Sequence, residues 1–95
     1  MGMQYDVKAA YLTGDDTVFA GPARVKGLVI SPNTSAGGLS LKNGGSGGTT
    51  KLQFSWPANT TPAPFTVVIP PEGVRFETDV YADVTNVTSI TVFYG

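Results

Sequence analysis

From Gly37 to the last residue, apolar and polar positions alternate in short runs. Most of these runs end on glycine, proline or asparagine. In Lys51-Leu52-Gln53-Phe54-Ser55-Trp56, Leu52, Phe54 and Trp56 point one way and Lys51, Gln53 and Ser55 the other. A period of two is the signature of a strand with one buried face. The same period sets Phe65, Val67 and Ile69 on one side of a strand over 65–69. It makes Val80, Ala82 and Val84 a row that faces Ile90, Val92 and Tyr94 across a core. Leu39-Ser40-Leu41 and the 51–56 run flank Asn43-Gly44-Gly45-Ser46-Gly47-Gly48, which predicts a hairpin with a flexible tip.

Upstream, residues 6–12 form a first strand with Val7, Ala9 and Tyr11 on one face. Gly14-Asp15-Asp16 is turn chemistry. Thr17 to Ala20 is a short second strand, stopped by Gly21-Pro22. Ala23 to Ser31 is the longest early run, and its Leu28-Val29-Ile30 is continuously apolar, as in a strand buried on both faces. Residues 32–38 form a loop. Residues 57–64 hold three prolines, Pro57, Pro62 and Pro64, so they predict an irregular surface loop. Pro70-Pro71-Glu72-Gly73 predicts a sharp turn with Gly73 at positive φ. Strands over 74–78, 80–85 and 89–94 complete the chain. No helical apolar stripe exceeds two turns. Eight or nine strands at this spacing predict an all-β domain over 1–95, an antiparallel β-sandwich or jelly-roll-like barrel.

Composition narrows the chemistry. Of 95 residues, none is cysteine and none is histidine. That removes the usual nucleophiles, proton shuttles and soft metal ligands, and no enzymatic activity or cofactor is expected. A serine or threonine nucleophile would need a lysine base, and no Ser-x-x-Lys occurs. Charged residues are 14% of the chain, against roughly 25% in an average soluble domain. The surface is therefore largely Thr, Ser, Asn and Gly, which suits packing against neighbours because little charge is desolvated. The net charge is −1, and of the basic residues only Arg24 and Lys26 lie close enough to share a strand face. That excludes phosphate-dominated nucleic-acid binding. No apolar run approaches a membrane span. No signal-peptide pattern opens the chain, so a soluble chain without an export signal is expected.

Four sets of residues are candidates for function. Glu77, Asp79 and Tyr81 share a strand parity, which places carboxylates on one face as catalysis or any polar strand face would. Asp15, Asp16, Asp79 and Asp83 could offer oxygens to calcium or simply cap turns, and the twelve-residue calcium-loop pattern is absent. Asn33-Thr34-Ser35, Asn59-Thr60-Thr61 and Asn86-Val87-Thr88 match the glycosylation sequon and read as surface loops. Phe93 and Tyr81 oppose the core rows of their strands, so both are interface candidates. Trp56, at a strand end before Pro57, is a candidate for core packing or for stacking on a sugar ring.

Several stretches carry a resemblance. They are Val7-Lys8-Ala9-Ala10-Tyr11-Leu12-Thr13-Gly14, Leu41 through Thr50, Ile69-Pro70-Pro71-Glu72-Gly73-Val74-Arg75-Phe76 and Asn86 through Gly95. On these the chain resembles a group of short bacteriophage virion proteins of marine and cyanobacterial phages. The resemblance implies a non-enzymatic structural protein of the virion, assembled in the host cytoplasm. Its expected role is a capsid-surface decoration, cement or knob protein on the major capsid protein. The alternative is a tail or fibre adhesion module for host-surface carbohydrate. The matching motifs are turns and strand ends, so no catalytic, metal or ligand residues carry over. A small core without disulfide or metal further predicts self-association. On that reading a neighbour covers the last strand and pins the Met1 end.

Overall fold

The computed structural model describes residues 7–70 and 72–95. Met1, Asp6 and Pro71 therefore lie outside the described residues. Nine strands are present among them: β1 (Lys8–Leu12), β2 (Asp16–Phe19), β3 (Ala23–Pro32), β4 (Gly37–Asn43), β5 (Thr49–Trp56), β6 (Phe65–Val68), β7 (Val74–Phe76), β8 (Val80–Thr85) and β9 (Val87–Tyr94). They form two antiparallel sheets packed as a sandwich, not a closed barrel. One has the order β1-β9-β3-β6 with β7 also on β3, and the other the order β2-β8-β4-β5.

The pairing is nested. β1 pairs with β9, β2 with β8, β3 with β6 and β7, and β4 with β5. The chain is thus one long hairpin whose tip is the glycine-rich segment between β4 and β5. Rolling it up adds the pairs β3–β9 and β4–β8. This is the strand order of a jelly roll, with β6 and β7 acting as one interrupted strand. Antiparallel alternation then sorts the connections. Loops 13–15, 33–36 and 57–64 and residue Asn86 gather at one end. Loops 20–22, 44–48 and 77–79 gather at the other.

The core is apolar and comes from both inner faces. β3, β7 and β9 contribute Val25, Leu28, Ile30, Phe76, Ile90 and Val92, and β2, β4 and β8 contribute Val18, Leu39, Leu41, Val80 and Ala82. Burying each such large side chain contributes about 1.5–3 kcal/mol. No polar or charged residue is buried among the described residues. Val25 and Leu28 both face inward although they are three apart. Val25 pairs with Tyr94 and Gly27 with Phe93, so Lys26 is the extra residue of a bulge.

Several expectations are refined. β3 is buried on one face only: Leu28 and Ile30 are fully buried, whereas Val29 is half-buried on the outer face. In β1 the shared face of Val7, Ala9 and Tyr11 is the outer one, and Ala10 and Leu12 pack on the core. The last strand is not an edge. β9 lies between β1 and β3, and Gly95 exchanges two backbone hydrogen bonds of 2.9 Å with Arg24. The cover expected from a neighbouring chain is supplied by the chain itself. Gly73 has φ +83°, and its N–H donates to the Pro70 carbonyl at 2.8 Å, as the turn requires.

Candidate functional site

Asp15, Glu77, Asp79 and Asp83 are dispersed into separate structural roles. Asp79 Oδ1 accepts the backbone N–H groups of Gly44 (2.8 Å) and Gly45 (3.0 Å). Asn43 Oδ1 reciprocates by accepting the Thr78 N–H at 2.8 Å. The hairpin tip, expected to be flexible, is thereby tied to the 77–79 loop. Glu77 Oε1 accepts from Lys51 Nζ at 3.3 Å and Asn43 Nδ2 at 3.4 Å. Asp83 pairs with Lys42 at 3.1 Å on the outer face of β8 and β4. Asp15 Oδ1 accepts the Val84 N–H at 2.7 Å, at the opposite end of β8 from Asp79. Among the described residues no three such groups come together in a way that could hold a metal ion.

The two outer sheet faces differ in kind. On the β1-β9-β3-β6 sheet, Ala9, Phe93, Gly27 and Val68 form one cross-strand row, and Tyr11, Thr91, Val29 and Thr66 form the next. Neither row contains a charge. Val68 is 88% exposed and Tyr11 68%. A Cβ on Gly27 would sit 3.7 Å from Phe93 Cδ2, so the ring lies across the glycine. Charge on this face lies outside the two rows, at the bulge residue Lys26 beside Gly27 and at the end where Arg24 pairs with Arg75. The outer face of the other sheet is polar. Tyr81 lies between Thr17 and Lys42, and Ser40 between Asp83 and Gln53. Tyr81 and Phe93, both interface candidates, therefore sit on opposite sides of the sandwich.

Trp56 is in a third place. It packs its ring against the edge of the core and opens on a cleft of about 210 Å³ lined by Pro32, Asn33, Pro57, Ala58, Asn59, Ala63 and Phe65. Its ring meets that of Phe65 edge-to-face, with centroids 5.8 Å apart and planes at 72°. The indole N–H is buried without an acceptor among the described residues. It lies against Gly37, where a Cβ would approach it to 3.0 Å. Backbone bonds hold the surrounding loops together. Asn59 N–H donates to the Thr34 carbonyl at 3.1 Å, and Asn33 N–H to the Asn86 carbonyl at 3.2 Å. Asn86 takes the left-handed conformation (φ 55°) that asparagine tolerates, and its Nδ2 donates to the Ala36 carbonyl at 2.7 Å. The three sequon asparagines thus gather at one end of the molecule as loop-building residues.

Sequence reasoning missed Phe65 as the partner of Trp56, because a reach across the irregular 57–64 loop has no local signature. It also missed the prominence of Val68. The unbroken apolar run Val67-Val68-Ile69 was the available signal, since alternation would have left a polar residue at 68. No family model, curated protein or solved structure matches the chain.

Proposed function

We propose that this chain is a non-enzymatic structural protein of a phage virion. In this reading it is a capsid-surface decoration, cement or knob protein that lays its β1-β9-β3-β6 face on the major capsid lattice. The observation that carries the reading is the pair of uncharged cross-strand rows around Phe93, Gly27, Val29 and Val68. Burying these two rows removes apolar area from water and desolvates no charged side chain within them. The resemblance of the turn and strand-end motifs to short phage virion proteins points the same way. So does the small, low-charge β-domain, which can be present in many copies without large fields of one sign. Copies arrayed on a lattice would also meet one another, and the mass of the purified chain in solution tests that self-association. Quantitative mass spectrometry of purified virions tests the main reading. It should find the chain at a copy number commensurate with the capsid lattice, and absence from virions would sink the proposal.

A second reading, a tail or fibre adhesion module, is favoured by the cleft at Trp56 and Phe65. There the copy number would match tail or fibre components instead.

A further inference from the structure

We infer that the cleft between Trp56, Phe65, Asn33 and Asn59 is a binding site for a single neutral sugar ring. The inference deepens the adhesion reading and does not rest on the docking face, which lies on the outside of a sheet and not among these loops.

Four features define the ligand. The first is size: about 210 Å³ is below the roughly 300–1,000 Å³ of sites for drug-sized ligands, so the cleft takes one ring and not an extended chain. The second is charge, since none of the eight lining residues is ionisable. A phosphate, sulfate or acidic sugar would meet no counter-charge. The third is the pair of aromatic rings. Phe65 is 37% exposed, and aromatic side chains supply an apolar platform for the C–H face of a sugar.

The fourth feature is the state of the two asparagines. Asn33 Oδ1 accepts the Ser35 N–H at 2.9 Å, and Asn59 Oδ1 accepts the Thr61 N–H at 3.0 Å. Because a backbone N–H must meet the oxygen, these bonds settle which side-chain atom is which. Each carboxamide is thus held by its oxygen in a local turn, with its NH₂ left over as a donor. Two oriented neutral donors beside an apolar platform suit ring and hydroxyl oxygens. The buried indole N–H of Trp56 takes no part in this recognition. A proline-rich peptide also favours aromatic-lined grooves, but it needs a longer one than this cleft.

Trp56 is the only tryptophan, so its indole N–H gives one resolved signal in a nitrogen-correlated NMR spectrum. The full chain is titrated with methyl glycosides of glucose, galactose, mannose and N-acetylglucosamine. Sialic acid and a proline-rich peptide are titrated in parallel. The expected result is a saturable shift of the Trp56 indole signal and of the Asn33 and Asn59 side-chain amides with at least one neutral glycoside. Asn33→Asp and Asn59→Asp keep the turn-capping oxygen and lose the donor, so the fold persists and affinity drops about tenfold. Phe65→Ala weakens binding by about as much, and Tyr81→Ala and Phe93→Ala leave it unchanged. The inference is overturned by the absence of shifts with every neutral glycoside at tens of millimolar. Native-like binding by both Asp variants, or preferential binding of sialic acid or of the peptide, overturns it equally. The copy number in purified virions, which tests whether the chain sits on the capsid or on a tail or fibre, is read independently of these titrations, so the sugar site and the adhesion reading fail separately.

Discussion

At the scale of single residues, glycines separate backbone demand from mere permissiveness. Gly37 faces Trp56 across β4 and β5, and a Cβ there would collide with the Thr85 carbonyl and press on the indole nitrogen. Gly47, in the hairpin tip, has open space around it and no positive φ. Gly37→Ala should therefore destabilise the fold by about 1–3 kcal/mol or more, as overpacking does. Gly47→Ala should be neutral or stabilising by about 0.4–1 kcal/mol, through a less flexible unfolded chain. Urea denaturation of the two variants checks both, and equal midpoints would contradict the packing described around Trp56. Total stabilities of domains are about 5–15 kcal/mol, so the Gly37 variant should be visibly impaired.

At the scale of elements, the open sides and tips are closed by a few polar contacts. Lys51 is the extra residue of a bulge, because Leu41 pairs with Leu52 but Lys42 with Thr50. The bulge turns its side chain toward β7. There Nζ donates to the Arg75 carbonyl at 3.1 Å and stands 5.9 Å from the Phe76 ring centroid. Its ion pair with Glu77 is solvated, since the carboxylate is 60% exposed, and contributes at most a few tenths of a kcal/mol. The tip depends on Asp79 in a different way: one carboxylate oxygen organises two successive glycine N–H groups. Asp79→Ala should lower stability by about 1–2 kcal/mol and speed hydrogen exchange at Gly44 and Gly45 before it affects β4 or β5. Asp79→Asn retains an acceptor and should lose less. Unchanged exchange at both glycines in Asp79→Ala would mean that the tip is held by its own conformation.

At the scale of the whole molecule, the asymmetry between the two outer faces makes a directional prediction about docking. Val68→Asp and Tyr11→Asp place a charge in the apolar rows, at side chains that are already solvated. Stability should change by within about 0.5 kcal/mol. Incorporation into virions should nevertheless fall sharply, because the new carboxylate must be desolvated on contact. Ser40→Asp and Gln53→Asp, on the polar outer face of the β2-β8-β4-β5 sheet, should incorporate normally. Complementation of a phage lacking the native chain, followed by quantification of the protein in purified particles, reads this out. Equal incorporation of all four variants would exclude the apolar face as the contact.

Alternation along the chain was enough to determine that it is all-β, and where β5, β8 and β9 put their core residues. Glycine and proline placement was enough for the hairpin and for the turn at Gly73, because these follow from local sterics and a period of two. Local information ended where parity is set by partners. Tyr11 and Ala10 are equally plausible core residues by pattern, and only the pairing of β1 with β9 put Tyr11 outside. The bulge at Lys26 moved the core register of β3 by one residue, and a bulge is invisible until the opposing strand is known. The order of the sheets, with β9 inside and not at an edge, came from nested pairing between residues as far apart as Lys8 and Tyr94. The cleft exists only because that roll-up brings the 33–36 and 57–64 loops and Asn86 to one end. The apolar outer face likewise assembles single residues from β1, β9, β3 and β6, each unremarkable in its own strand. A surface is a property of neighbours in space, and neighbours in space are what a jelly roll takes from distant parts of the chain.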